Sequence, residues 1–318
     1  MSIKLAFLFP GQGSQSQGML SEFLDTEQIV ADTFIEASDV LGYDMVELTR
    51  ENPEGKLNRT EYTQPALLTA STAMFRLWMQ RGGMQASHAA GHSLGEYSAL
   101  VAAGSLSFPD ALSLVAFRGK VMTDAVPEDD GRMAAILGLD DEQAESLCRT
   151  VSTDIEKVWP ANYNCPGQIV VAGHAAAVNR LMERAKAAGA RRALPLQVSA
   201  PSHTPLMQPA ADAIRDRLRN VKIMVPKISV WSNALAAPLE KPGEIETALV
   251  RQLVSPVRWT EMIRCMSHMG VCHGVEMGPG RVLSGIVRRI DRCFTVFSTD
   301  TPENLVSAME QVKGDVDG

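Results

Sequence analysis

Short apolar runs alternate along this chain with longer stretches of helical spacing. Residues 5–9 form a continuous apolar run bounded by turn residues, which is typical of a strand buried on both faces of a parallel sheet. Residues 65–81 predict a helix, with Pro65 in its first turn and a glycine pair after its end. A brief strand is predicted over residues 88–91. The pattern therefore indicates an α/β fold with a central parallel sheet.

Of the next two predicted helices, the second has a charged residue on its apolar face. One covers residues 93–103 and is followed by Gly104, a common C-terminal cap. The other begins at Pro109, and its apolar positions, spaced i, i+3, i+4, i+7 and i+11, include Arg118. An unpaired buried charge costs about 3–5 kcal/mol, so this guanidinium requires an anion unless its end reaches water. The anion is either a structural partner or a carboxylate that arrives with a substrate.

The pattern changes between about residues 130 and 200. Strands and helices are predicted there in the order β-α-β-β-α-β, over residues 133–139, 140–151, 158–163, 169–172, 175–188 and 193–199. This order is typical of a ferredoxin-like unit. We therefore predict a ferredoxin-like subdomain over residues 129–198, which interrupts a larger catalytic subdomain made of residues 1–128 and 199–318.

Composition restricts the class of protein. Apolar residues make up 45% and charged residues 21% of the 318 residues, the balance of a folded globular protein. The net charge of −7 argues against nucleic-acid binding, which requires a dominant basic surface. Five cysteines without C-x-x-C spacing indicate neither a metal site nor a disulfide framework. Because no secretory leader or membrane-spanning segment is apparent, we expect a cytoplasmic protein that binds no membrane.

Residues 91–95, Gly-His-Ser-Leu-Gly, match the G-x-S-x-G nucleophile elbow. The motif lies between a predicted strand and a predicted helix, which is the context that it requires. Small residues around Ser93 permit the strained turn, and the N–H groups of the following helix would stabilise an oxyanion. The alternative is a structural serine that caps the helix together with Glu96 in a capping box.

A serine nucleophile requires a base, and the chain has six histidines. His92 adjoins Ser93 and should point away from it in such a turn. We select His203, because it follows the strand predicted over residues 193–199, at a strand's C-terminal end where α/β active sites collect. His273 is the second candidate. Either histidine could also be an ordinary core or surface residue.

A glycine-rich loop over residues 9–15 follows the first predicted strand. The loop lacks the third glycine of G-x-G-x-x-G and the G-K-[ST] of a P-loop, which argues against nucleotide binding. A backbone N–H of this loop could complete an oxyanion hole with the N–H of Leu94. A simple tight turn explains the glycines equally well.

Taken together, these segments resemble the malonyl-CoA:acyl carrier protein transacylase family along nearly the whole chain. The motifs that carry the resemblance are FPGQGSQ (9–15), YTQPALLTAS (62–71), GHSLGEYSALV (91–101), RGK (118–120), MAAILGL (133–139), NCPGQIVVAG (164–173), APSH (200–203), VRQL (250–253) and GPGRVL (278–283). The resemblance implies an α/β-hydrolase-like large subdomain interrupted by a small ferredoxin-like one. Departures are small, with Ala200 where valine is frequent and Arg281 where lysine is frequent.

The resemblance also implies a role for each site residue. Ser93 would carry a malonyl ester, His203 would act as base and acid, and Arg118 would hold the malonyl carboxylate. The N–H groups of Gln12 and Leu94 would form the oxyanion hole. The remaining implied residues are Gln64 and Asn162, which bind substrate, and Gln252, near which main-chain carbonyls orient the histidine in place of an aspartate.

The implied reaction is ping-pong transfer of malonyl from malonyl-CoA to the phosphopantetheine thiol of acyl carrier protein, in fatty acid biosynthesis. Neither a permanently bound cofactor nor a metal is expected, and we expect a monomer. Three alternatives stay open: an acyltransferase of a polyketide or malonate decarboxylase system, a serine esterase or thioesterase, and a catalytically silent carrier-binding module. Because acyl carrier protein is acidic, Arg191-Arg192 and Arg288-Arg289 are candidate docking residues, although ordinary solvated surface charge explains them too.

Overall fold

The computed structural model describes residues 4–127, 129–198 and 200–317, without the side chains of residues 315–317. The strands of this part of the chain are β1 (Lys4–Phe9), β2 (His88–Gly91), β3 (Gly131–Leu137), β4 (Val158–Cys165), β5 (Gln168–His174), β6 (Arg192–Pro195), β7 (Ser229–Trp231), β8 (Pro238–Leu239), β9 (Val271–Glu276) and β10 (Thr295–Ser298).

Helices cover both sheets that these strands form. They are α1 (Ser21–Thr26), α2 (Gln28–Leu41), α3 (Met45–Glu51), α4 (Thr60–Gln80), α5 (Gly95–Ala102), α6 (Phe108–Asp124), α7 (Asp141–Val151), α8 (Ala175–Ala185), α9 (Gln208–Leu218), α10 (Pro242–Val254), α11 (Trp259–His268), α12 (Val282–Ile290) and α13 (Pro302–Asp317), with short 3-10 helices at Pro53–Asn58 and Pro205–Met207.

The larger sheet has the strand order β10-β9-β1-β2-β7-β8, and its pairs are parallel up to the antiparallel edge strand β8. Strand β1 lies near the middle, and its side chains alternate between two cores. Phe7 and Phe9 belong to the core that includes α4 and α6, whereas Leu8 packs with α11 and α12. Burial on both faces explains the continuous apolar run, and the predicted central parallel sheet is confirmed.

The smaller sheet has the order β4-β5-β3-β6 with antiparallel pairs throughout. Helices α7 and α8 pack against one of its faces through a core of its own. This is the predicted β-α-β-β-α-β arrangement, and the two-subdomain fold is confirmed. The predicted boundaries fall at Glu128 and Ser199, which lie outside the described residues, so the division at residues 128/129 and 198/199 stays a prediction.

Two predicted elements differ from the structure by four residues or more at one end. Helix α4 begins at Thr60, so Pro65 lies inside the helix rather than in its first turn. Because Pro65 has no N–H, the carbonyl of Glu61 lacks its usual backbone donor. Packing of the long apolar face of α4 offsets the loss of this one hydrogen bond. Strand β6 ends at Pro195 instead of continuing to residue 199, because its ladder with β3 ends there.

Candidate active site

Ser93 lies in the sharp turn between β2 and α5. Its backbone has a φ of 51°, a left-handed conformation that strains a residue with a side chain. Close backbone packing holds the turn: a Cβ on Gly95 would lie 2.1 Å from the carbonyl oxygen of Phe9, and one on Gly11 would lie 2.4 Å from that of His92. The two glycines therefore bring the glycine-rich loop against the turn that carries Ser93.

The structure contradicts the capping-box alternative for Ser93. Helix α5 begins at Gly95, with Leu94 as its N-cap residue. The hydroxyl of Ser93 contacts His203, and the N–H of Ser93 donates to Asn233 instead of to Glu96. The serine side chain is thus directed into the site and does not cap the N-terminus of α5.

Asn233, between β7 and β8, forms hydrogen bonds with the turn at Ser93 and at Gly91. Its Oδ1 accepts from the N–H of Ser93 at 2.6 Å, and its Nδ2 donates to the carbonyl oxygen of Gly91 at 2.7 Å. Asn233 was not among the residues predicted from the sequence. The available signal was a polar residue shortly after an apolar strand, at the edge where the sites of parallel sheets collect.

His203 is hydrogen bonded at both ring nitrogens. Nε2 lies 2.8 Å from Oγ of Ser93, and Nδ1 lies 2.8 Å from the main-chain oxygen of Gln252. A carbonyl oxygen can only accept, so Nδ1 carries the proton and Nε2 is free to take one from the serine hydroxyl. The ring is therefore held in the tautomer that a general base requires.

Helix α10 supplies the carbonyl that orients His203. The carbonyl of Gln252 would normally accept from the residue four positions later, but that residue is Pro256, which has no N–H. The negative end of the helix dipole also favours a proton on the nearby ring. The Gln252 carbonyl thus has the position relative to His203 that an aspartate has in a Ser-His-Asp triad.

Burial of His203, together with the charge of Arg118, lowers the pKa of its imidazole to about 3. The ring is consequently neutral in the resting enzyme, as a base must be. The second candidate, His273, lies in β9, where its ring stacks on Phe297. His92 bonds Asn164 through Nε2 at 2.8 Å and so points away from Ser93, as predicted.

The Arg118 guanidinium is fully buried, and amide oxygens surround it. Nη1 donates to Oε1 of Gln64 at 2.7 Å, Nη2 donates to Oε1 of Gln252 at 3.0 Å, and Nη2 lies 3.4 Å from Oγ of Ser93. The ring of Tyr97 lies 5.5 Å from the guanidinium carbon. In the described part of the chain, Nε has no hydrogen-bond partner and no acidic side chain pairs directly with Arg118. The cation thus retains capacity for an external anion.

Apart from Gln252, the predicted site residues line one cavity of about 250 Å³ between the two subdomains. The large subdomain contributes Gln12, Leu94 and Gln64 in addition to the residues above, and strand β4 contributes Asn162. Gln12 is tied to Thr60 through its side chain at 3.2 Å. Within the described residues, the N–H groups of Gln12 and Leu94 are not used in backbone hydrogen bonds, so both are available to an oxyanion. Gln252 borders the site through its contacts with Arg118 and His203.

The described residues contain no cluster of three or more potential metal ligands. They also contain no helix long and apolar enough to cross a membrane. A serine hydroxyl, a neutral imidazole and two available N–H groups together form the arrangement that covalent acyl transfer requires.

Comparison with known proteins identifies closely similar sequences. A profile of the acyl transferase domain matches residues 6–301. The malonyl CoA-acyl carrier protein transacylase of Escherichia coli (strain K12) is 48% identical over 307 residues, which cover 96% of this chain and 99% of that protein. The protein of the same name from Bacillus subtilis (strain 168) is 42% identical over 314 residues, 99% of each chain.

Comparison with solved structures also identifies malonyl transacylases as similar proteins. A malonyl-transacylase in complex with its type II polyketide synthase acyl-carrier protein superposes with a TM-score of 0.95 at 47% identity, covering 97% of this chain and 99% of that one. The malonyl CoA-acyl carrier protein transacylase of Coxiella burnetii superposes with a TM-score of 0.96 at 43% identity, covering 98% of each chain.

Proposed function

Since the chain belongs to the malonyl-CoA:acyl carrier protein transacylase family, we propose that it moves malonyl groups from malonyl-CoA to acyl carrier protein through an ester on Ser93. The observation that carries this proposal is the buried guanidinium of Arg118, whose Nε has no partner among the described residues and whose Nη2 lies 3.4 Å from the serine hydroxyl. A carboxylate on the acyl group would supply the missing anion.

In the first half-reaction, Oγ of Ser93 attacks the thioester carbonyl while Nε2 of His203 takes the hydroxyl proton. The oxyanion accepts from the N–H groups of Gln12 and Leu94. The carbon–sulfur bond then breaks, and His203 returns the proton to the departing coenzyme A thiolate. Arg118 holds the malonyl carboxylate throughout.

The second half-reaction runs through the same groups in reverse. His203 takes the proton of the phosphopantetheine thiol, and the thiolate attacks the ester carbonyl. The bond between Oγ and the carbonyl carbon breaks, and Ser93 regains its proton. Gln64 and Asn162 are proposed to line the position of the acyl chain, because both side chains face the cavity.

A group of arginines beside the active-site cavity fits an acidic carrier protein. Arg191, Arg288, Arg289 and Arg292, here called the basic patch, surround a surface depression of about 570 Å³. Arg289 bonds Gln168, which also lines the active-site cavity. The basic patch therefore lies next to the active-site cavity, and we propose that an acidic carrier protein docks on it. Arg192, the remaining candidate, is exposed in β6 and does not line this depression.

The direct test is to mix the protein with malonyl-CoA and measure the mass of the peptide that contains Ser93. We expect a malonyl adduct on wild-type protein, its absence in Ser93→Ala, and its loss when holo-acyl carrier protein is added. An unmodified wild-type peptide would refute the proposal. Rapid release of free malonate without a thiol acceptor would indicate a thioesterase instead.

Several finer aspects of the assignment are also proposed from the sequence. They are a cytoplasmic location, a monomeric state, and the use of coenzyme A and phosphopantetheine thioesters as substrates without a permanently bound cofactor.

A further inference from the structure

Glu96 is a buried acid that the reaction steps above do not use. It lies in the first turn of α5 and has no exposed surface. Its Oε2 accepts from the N–H of Asn233 at 3.0 Å and from Nε2 of Gln252 at 2.7 Å. Because burying a carboxyl is costly, its placement next to the active site requires a reason.

Gln252 connects this carboxyl to both halves of the active site. Its side-chain Oε1 accepts from Arg118, and its main-chain oxygen accepts from His203. Oε2 of Glu96 accepts hydrogen bonds from both of its partners, so the amide nitrogen of Gln252 faces the carboxyl. The amide oxygen is thereby left to face the guanidinium.

We propose that Glu96 is a positioning residue that acts through Gln252 to hold the contacts of Arg118 and His203. This inference rests on the proposed function, in which Arg118 binds the acyl carboxylate and His203 is the base. Electrostatics agree with the geometry: burial lowers the pKa of Arg118, while neighbouring Tyr97 and Glu96 raise it. The charge of Glu96 thus offsets part of the cost of burying Arg118 without contacting it. The guanidinium therefore remains open to the substrate.

The first experiment compares malonyl with acetyl transfer. Glu96→Ala should lower the malonyl-to-acetyl ratio of kcat/KM by about tenfold or more, because the amide nitrogen of Gln252 loses its carboxyl partner and keeps only its bond to the main-chain oxygen of Ser93. Glu96→Gln keeps an accepting oxygen and should stay within about threefold of wild type. Ser98→Ala, which alters another buried polar residue of α5, is the matched control and should leave the ratio unchanged. A purely structural role would lower malonyl and acetyl transfer equally, so an unchanged ratio in Glu96→Ala would overturn the proposal. Equal losses of the ratio in Glu96→Ala and Glu96→Gln would also overturn it.

The second experiment tests whether Glu96 acts through Gln252. The ratio in the double variant Glu96→Ala, Gln252→Ala should equal that of Gln252→Ala alone. A further loss in the double variant would show a path that does not involve Gln252.

A third measurement requires no substrate and so separates this inference from the proposed function. The NMR signal of the Nδ1 proton of His203 reports its bond to Gln252. The signal should shift or broaden in Glu96→Ala and remain unchanged in Ser98→Ala. An identical signal in both variants would refute the role of Glu96, whereas a wild-type protein that takes no malonyl label would refute the proposed function alone.

Discussion

Nη2 of Arg118 lies 3.4 Å from Oγ of Ser93, so the cation and the serine hydroxyl are direct neighbours. The far end of an acyl group attached to this hydroxyl would lie close to the guanidinium. Burial, followed by the charge of Arg118, lowers the pKa of His203, whose ring contacts the serine. If Arg118 binds the acyl carboxylate as proposed, one buried charge acts both on the acyl group and on the pKa of His203.

Replacing Arg118 should change which acyl group is transferred. In Arg118→Ala, we expect malonyl transfer to fall at least about 100-fold, because a desolvated charge pair with the substrate is lost. Acetyl transfer should be kept or gained. Arg76→Ala is the matched control, since Arg76 is already paired with Glu36. Steady-state rates with both acyl-CoA substrates provide the measurement, and equal loss of both activities would contradict a role in carboxylate binding.

The buried imidazole of His203 should destabilise the fold at acidic pH. Burial lowers its pKa from 6.5 to about 3, so the unfolded chain binds a proton below pH 6.5 that the folded chain does not. Protonation then favours the unfolded chain, and the free energy of unfolding falls as pH falls from 6.5 toward 3. In urea unfolding, the stability of wild type relative to His203→Gln should drop by up to about 2 kcal/mol between pH 7.5 and 5.0. A difference that is independent of pH would contradict the lowered pKa.

Glu96 should have the opposite effect on stability. Burial raises its pKa from 4.5 to about 7, although bonds from Asn233 and Gln252 and the charge of Arg118 lower it. The folded chain therefore binds the proton more tightly, so the stabilising contribution is present below pH 4.5 and is lost as pH rises through 7. Relative to wild type, Glu96→Gln should become progressively more stable between pH 4.5 and 8. Thermal unfolding across this range provides the test, and a flat difference would count against the raised pKa.

Asn233 should be needed to maintain the strained turn. Asn233→Ala leaves the N–H of Ser93 and the carbonyl of Gly91 without their side-chain partner, at about 1–3 kcal/mol for each buried group. We expect a lower melting temperature and a kcat reduced by about tenfold or more, with a smaller change in KM. Asn220→Ala, in an exposed position, is the control. Wild-type kcat in Asn233→Ala would show that the backbone holds the turn unaided.

The basic patch should matter for the carrier protein and not for the first half-reaction. Arg288→Glu and Arg292→Glu should reduce transfer to holo-acyl carrier protein at low salt by about tenfold, with the effect declining as salt screens the charges. Acylation of Ser93 by malonyl-CoA should be less affected. Lys222→Glu, an exposed charge outside the patch, is the control. Unchanged transfer in the arginine variants would place the docking surface elsewhere.

Prediction from the sequence was most reliable where a feature depends on neighbouring residues. The apolar run of β1, the elbow around Ser93 and the apolar face that contains Arg118 follow from local patterns, and the structure contains all three. His203 was selected partly from a strand that ends four residues earlier than predicted and belongs to the smaller sheet. Its contact with Ser93 instead depends on the chain between β6 and α9, where its own φ is 63°.

By itself, the sequence determined the periodic elements, the strained turn and the presence of one arginine on an apolar helix face. Only the tertiary structure decided what surrounds that arginine, because Gln64 and Gln252 lie 54 and 134 positions away along the chain. The bonds of Asn233 to Ser93 and of Glu96 to Gln252 span 140 and 156 positions. Periodicity reports which face of an element is buried but not which distant side chain meets it there, and hydrogen bonds of buried polar groups are satisfied only when the packed elements bring those partners together.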